Sequence, residues 1–308
     1  MRVIDPKTRV LPPPGIYHGV PEVHYHGWKD AAGSSELRVL ADKSPAHVAA
    51  GRRAAASGTE RQIGKVDSKL FGSMVHDLVL RPEIFEQLYM ARPAGNGNSN
   101  AFKDACARLL ADNPFGFIVP QRDIDRAHGV KNALSEHELA GPAFFGRRTE
   151  VSLVWRKTVE IEVGGKTVEV TIPAKARLDA VDADVGPADL KVSSDVSEDA
   201  VARKVDEYRY DLQGAWYLGG ASECAIETIP EFAFFFVEDD DPFDIQMYPV
   251  SGRVLSAAEA RLDDLVPLWA KCQITGIWPK SPPMSKDLPL SYRLRNEVEG
   301  RVPFRGAA

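Results

Sequence analysis

The stretch KARLDAVDADVGPADLK at 175–191 holds residue types at a spacing that can do chemistry. Asp179 closes one short alternating run, and Asp189-Leu190-Lys191 forms the next. Side chains alternate with period two along a strand, so Asp189 and Lys191 share a face. If the two runs pair, Asp179 comes beside Asp189, and two carboxylates and an ammonium surround one point. Clustered carboxylates repel unless a cation compensates, and hard oxygen ligands suit Mg²⁺ or Mn²⁺. A lysine beside such a metal can orient and help deprotonate an attacking water. The bland alternative is a pair of solvated hairpin ends. Asp182, Asp184 and Asp195 make the region acidic, and any of them competes as a ligand.

The elements that must position these groups follow from periodicity. Residues 150–155 read as a strand, and 158–163 and 166–172 alternate on either side of Gly164-Gly165, a hairpin signal. Short strands at 176–181 and 188–192 carry the acidic pair. A helix is expected at 198–218, strands at 232–237 and 245–250, and a last helix at 256–274. Upstream, Ser35 is a plausible N-cap before Leu37, Leu40 and Ala41, and Ser44-Pro45 marks a stop or restart. Leu70, Met74 and Leu78 give an amphipathic helix ending before Pro82, with further helical stretches at 101–111 and 121–140. Residues 51–66, with Arg52, Arg53, Arg61 and Lys65, read as a loop or a mobile basic strip. The fold class is α/β of the α+β kind, a mixed central sheet flanked by helices. Residues 1–34 are expected as an irregular arm outside the core, and 35–280 as one domain with a helical part (35–145) and a β-rich part (146–280). Residues 281–308 form a tail with a slight basic excess.

Four separated segments resemble a known family. GSSELRVLADKSPAHV at 33–48 is similar to an "SxSxLxxLxxSPxH" opening, and FGSMVHDLVLRPEIFEQLY at 71–89 to a "GxxxHxLxLxPxxF" helix. The core stretch 175–191 is the third, and YRYDLQGAWYLGG at 208–220, similar to a "YxxQxxxY" helix, is the fourth. Trp269, Cys272 and TGIWP at 275–279 echo a terminal cysteine and Trp-Pro signature. In this order they resemble the exodeoxyribonuclease VIII (RecE-type) branch of the PD-(D/E)xK nuclease superfamily, related in chemistry to lambda-type exonuclease. No Pro precedes Asp179, a departure the superfamily tolerates.

The resemblance implies roles position by position. Asp179 and Asp189 match the metal-binding carboxylates, the Leu190 backbone carbonyl a further ligand, and Lys191 the catalytic lysine. His76 matches a histidine placed at the metal. Glu150 matches a supporting acid, with Glu160 and Glu162 as competitors. Tyr210 and Gln213, three apart and so on one helix face, match a pair that contacts the active site, whereas Tyr217 is read as packing. The implied activity is Mg²⁺-dependent hydrolysis of linear double-stranded DNA from an end, 5′→3′, by a homo-oligomeric ring that passes single strands to an annealing protein in a phage or prophage setting. Other readings stay open: another nuclease of the superfamily, a catalytically silent module that binds DNA ends, or a Mg²⁺ enzyme on a different phosphoester. Versions with an iron–sulfur cluster need four cysteines, and Cys106, Cys224 and Cys272 are three.

Composition sets outer bounds. The 308 residues carry 38 Lys+Arg against 44 Asp+Glu, a formal charge of −6. With 44% hydrophobic and 27% charged residues, the chain is neither disordered nor fibrous. Its longest strongly apolar run, 232–237, is strand-sized, and the N-terminus has no apolar signal segment, so a cytoplasmic location is expected. Bulk acidity speaks against a nucleic-acid partner. Phosphate affinity, however, depends on a local Lys/Arg strip, for which 51–65 and Arg147-Arg148 are candidates. The expectation is a basic inner channel and an acidic exterior that includes Glu238, Asp239, Asp240 and Asp241.

Overall fold

The computed structural model describes residues 2–3, 10–57, 63, 65–146, 148–182, 186–226, 232–282, 295 and 299. Arg61, Arg147, Asp184 and nearly all of the tail lie outside the described residues.

Helices form where capping and apolar spacing agree. The first half runs β1 (Arg2–Val3), β2 (Gly15–His18), α1 (Glu22–Gly27), α2 (Ser34–Asp42), α3 (Pro45–Ser57), α4 (Ser68–Leu80), α5 (Pro82–Leu88), β3 (Tyr89–Ala91), α6 (Asn100–Asp112), β4 (Phe117–Val119), α7 (Gln121–Glu136) and α8 (Ala140–Phe144). Asp67 caps α4 by accepting from the Leu70 amide at 2.8 Å, and Ser99 caps α6 through the Phe102 amide. The second half runs β5 (Arg148–Val163), β6 (Lys166–Asp182), β7 (Gly186–Ser193), α9 (Glu198–Tyr208), α10 (Tyr210–Glu223), β8 (Ala233–Glu238), β9 (Ile245–Pro249) and α11 (Gly252–Thr275).

One seven-stranded sheet, ordered β1-β2-β5-β6-β7-β8-β9, organises the chain; β3 and β4 form a separate parallel pair. β1–β2 and β7–β8 are parallel, and the other neighbours in the large sheet are antiparallel. Alternation along β8 splits its side chains between two cores. Phe234 and Phe236 face α2, α10 and α11, whereas Phe235 and Val237 face α4, α7 and α8. The expected mixed sheet between helices is therefore present. Among the described residues no helix is long and apolar enough to cross a membrane.

Several expectations are corrected. The expected irregular arm contributes β2, which pairs with β5 from Gly15↔Val154 to Tyr17↔Ser152, and buries Tyr17, Val20 and Trp28. Pro and Gly fix local turns, but the edge of β5 supplies the partner that makes this segment a strand. Residues 51–57 are the end of α3, not a loop, and Arg52 is no open phosphate contact. Its guanidinium holds Glu36 through two hydrogen bonds at 2.7 and 2.8 Å and lies 4.7 Å from the Trp278 ring centre. The separate strands at 150–155 and 158–163 are one, as are those at 166–172 and 176–181. Pro173 reads as a stop, yet it sits opposite Arg156, and its carbonyl accepts from Ala32. The helix expected at 198–218 breaks at Arg209, whose left-handed φ of 52° is held by ion pairs to Asp211 and Asp42.

The Trp155–Trp216 contact, 5.0 Å between ring centres, leaves no room above Gly220, where a Cβ would lie 2.6 Å from the Trp155 ring. Alanine in a helix ordinarily gains up to about 1 kcal/mol over glycine. Overpacking of this kind costs about 1–3 kcal/mol and reverses the sign. Gly220→Ala is expected to lower the urea midpoint; an unchanged or higher midpoint would show that the tryptophan pair yields freely.

Candidate active site

The acidic pair sits where the sheet opens. β6 and β7 pair from Asp182↔Gly186 to Ala180↔Ala188, and there the ladder stops. In place of a backbone partner, the Leu190 amide donates to Asp179 Oδ2 at 2.8 Å. A strand residue turns its N–H and C=O toward the same neighbour, so the Leu190 carbonyl also faces the β6 side. Helices from opposite faces of the sheet reach this opening. From α4, His76 Nε2 approaches Asp179 Oδ2 at 3.3 Å; from α10, Gln213 Nε2 donates to Asp189 Oδ1 at 2.6 Å. Lys191 Nζ contacts Asp189 Oδ2 and lies 4.8 Å from the Tyr210 ring centre and 5.6 Å from that of Phe234. The structure thus brings Asp179, Asp189 and Lys191, read from spacing, together with Leu190, His76 and Gln213, which the family resemblance implies, and places the Tyr210 ring beside the lysine.

Electrostatics separate the two carboxyls. Burial and the charge of Asp179 push Asp189 up to about 6, despite Lys191. Asp179 is held below the usual carboxylate range: burial alone would raise it, but the hydrogen bond and charge of His76, with Lys191 and the Leu190 amide, outweigh that. Burial pulls His76 down, and Asp179 overcomes it, holding the imidazole at about 9. His76 Nδ1 donates to the Gly72 carbonyl at 2.8 Å, which turns Nε2, also protonated in the imidazolium, toward Asp179.

Glu150 lies one step away. It stands with a left-handed φ of 53° between Thr149, opposite Ala180, and Val151, opposite Leu178. Such backbone costs about 1–3 kcal/mol in a residue other than glycine. Its carboxylate accepts from Arg177 at 3.0 Å, while burial pushes it up against that pull. Glu160 and Glu162, its competitors in sequence, sit opposite Glu169 and Thr167 near the hairpin tip. Tyr217 is buried against Phe232, as its packing role requires, but also lines the cleft.

Three further residues shape the site without having been singled out by sequence. Arg177 ties Ser152, Glu150 and the Val20 carbonyl together and lies 4.4 Å from the Tyr25 ring centre. A signal for it exists, because Lys175, Arg177 and Asp179 recur with period two. Lys175 donates to the Tyr25 and Trp28 carbonyls at 2.7 and 2.9 Å, fastening α1 so that Glu22, Tyr25 and His26 wall the cleft. Arg38 of α2 donates to Gln213 Oε1 at 3.2 Å and to the Tyr208 carbonyl at 3.1 Å. The first bond leaves the Gln213 NH₂ directed at Asp189.

The cleft measures about 560 Å³ and is lined by His76, Glu150, Arg177, Asp179 and Lys191 among others. Among the described residues no three His, Cys, Asp or Glu side chains form a ready-made metal cage. A hard cation that keeps several waters needs only one or two carboxylates. Asp179 and Asp189 supply these, and buried Asp189 Oδ2 makes no hydrogen bond of ordinary geometry beyond its contact with Lys191. The donor set fits Mg²⁺ or Mn²⁺.

No curated protein matches the chain. A solved structure named SSO0001 aligns with 17% identity over 68% of this chain and 80% of its own, at a TM-score of 0.24. A crystal structure named "Putative exonuclease", from Eubacterium rectale, aligns over 89% of this chain and 94% of its own, with 14% identity and a TM-score of 0.52, a likeness of fold. The model of one family spans residues 34–283, which include α4, α10 and strands β5 to β9 with both carboxylates, but not β1, β2 or α1. The chain belongs to that family, the PDDEXK-like domain of unknown function (DUF3799).

Proposed function

We propose that the protein is a Mg²⁺-dependent DNA exonuclease that hydrolyses linear duplex from an end. The observation that carries this reading is the half-buried Asp179 and buried Asp189 with Lys191 at the sheet opening, inside a PDDEXK-like domain. The fold likeness to a structure named as an exonuclease supports it. Mg²⁺ held by Asp179, Asp189 and the Leu190 carbonyl would supply positive charge for the phosphate and a water of lowered pKa. Lys191 orients the attacking water and offsets charge growing on the phosphorane oxygens. Gln213 keeps Asp189 aimed, and His76 does the same for Asp179. The Tyr210 ring faces the lysine ammonium, and Glu150 adds a further carboxylate to the cleft. The finer reading follows the RecE-type resemblance: 5′→3′ polarity, a ring around the duplex with a basic channel, delivery of single strands to an annealing protein, and a cytoplasmic, prophage-borne setting.

End-labelled linear duplex and covalently closed circles, incubated separately with the protein and Mg²⁺, test the core of this. Linear DNA is expected to be degraded and circles to survive. Comparable loss of circles would overturn end dependence, and intact linear DNA would overturn hydrolysis altogether.

A further inference from the structure

Beside the catalytic groups is a pair of tyrosines that the hydrolytic roles only half use. Tyr208 ends α9 and Tyr210 begins α10; the left-handed Arg209 between them folds the chain so that their rings stack, 5.7 Å apart and inclined by 23°. Tyr210 is the inner ring, packed against Phe234 and lying 4.8 Å from the Lys191 ammonium. Tyr208 is the outer ring, 47% exposed, and among the described residues no other ring stacks on it. A large exposed aromatic so close to buried charges contributes little to the core. Two anchors hold it in place. Arg38, a cleft-lining residue, grips the Tyr208 carbonyl with the same nitrogen that holds Gln213, and Arg209 is pinned by Asp211 and Asp42. The outer ring is thereby fixed relative to Asp189 and, through Tyr210, to Lys191.

We propose that Tyr208 is a stacking platform for a nucleobase of the strand being cleaved, next to the scissile phosphate. The inference rests on the nuclease reading and extends it to a base-binding subsite. A ring face accepts every base, so the platform is indifferent to sequence and sensitive to whether the terminal base is free to stack. The Tyr210 ring beneath it gives a continuous path from base to lysine, so stacking adds ground-state binding of the strand end beside Lys191. Arg38 joins platform and carboxylate in one hub.

The test uses duplex with 2-aminopurine at the terminal base, bound in Ca²⁺ for fluorescence and cleaved in Mg²⁺ for kinetics. Wild type is expected to quench the probe. Tyr208→Ala and Tyr208→Leu should lose the quench and raise KM about tenfold, the order expected of one base–aromatic stack, with kcat changed less than threefold. Tyr208→Phe and Tyr208→Trp should keep both. The leucine variant keeps apolar bulk, so a purely structural role would leave it like wild type, and that result overturns the platform. So would unchanged quench and KM in Tyr208→Ala by an enzyme that cleaves. Failure of wild type to bind or cleave DNA instead overturns the nuclease reading.

Discussion

Asp189→Asn is expected to raise the melting temperature of the metal-free protein at pH 8 and, in the same variant, to remove Mg²⁺-dependent hydrolysis. Asp189 is about 1% exposed and is held at about 6, above the ordinary carboxylate value near 3.8, by burial and by Asp179. A carboxyl raised on folding destabilises once ionised. The cost is absent below about pH 4, grows as pH rises through 6, and is full at pH 8. Two pKa units correspond to about 3 kcal/mol; because the substitution also removes the Asp189–Lys191 ion pair, a gain of about 1–3 kcal/mol is expected. Asparagine keeps an oxygen to accept from Gln213, and Lys191 retains the nearby charge of Asp179. Thermal melts at pH 8 and pH 4 check the sign. The gain should vanish at pH 4, where wild-type Asp189 is itself protonated. Added Mg²⁺ should raise the wild-type melting temperature and leave the variant unmoved, because one of two carboxylate ligands is gone. A variant less stable than wild type at pH 8 would show that the Lys191–Asp189 pair outweighs the repulsion.

The sequence carried the chemistry further than the architecture. The Asp179, Asp189 and Lys191 spacing survives in the structure because strand alternation is a local rule. The opening that brings them together comes from a ladder ending at Ala180↔Ala188, which no residue type announces. Arg209 is the sharper case. Nothing in YRYD marks a break, since neither glycine nor proline is present; the left-handed turn is offset by ion pairs to Asp211 and distant Asp42. The N-terminal segment failed for a related reason. Gly15 and Ile16 extend because β5 offers an edge, and α1 stays down because Lys175 holds the Tyr25 and Trp28 carbonyls and both Lys175 and Arg177 lie over the Tyr25 ring. Tertiary partners made those elements, and local propensity does not encode tertiary partners.

Lys191→Met is expected to reduce turnover on linear duplex by at least about a thousandfold while binding of DNA ends in Ca²⁺ changes less than about threefold. An ammonium that offsets charge only in the transition state lowers kcat without weakening the ground-state complex, and removing a comparable preorganised donor costs about 10²–10³ in rate. Loss of water positioning adds to that. Methionine is about as long as the lysine stem, so it fills much of the space beside Tyr210 and Phe234 while removing the charge that lies over their rings. The substitution also leaves Asp189 Oδ2 without its cation, which pushes that carboxyl still higher; the metal-free melting temperature at pH 8 should fall, opposite in sign to Asp189→Asn. Lys191→Arg should not restore turnover, because a planar fork cannot occupy the place of a point charge between Asp189 and the Tyr210 ring. Single-turnover rates with saturating enzyme separate the chemical step from binding. A lysine that serves only to neutralise Asp189 would be replaceable, and arginine at 191 would recover most of the rate. If instead Lys191 works on the phosphate, arginine at 191 leaves the rate near that of Lys191→Met.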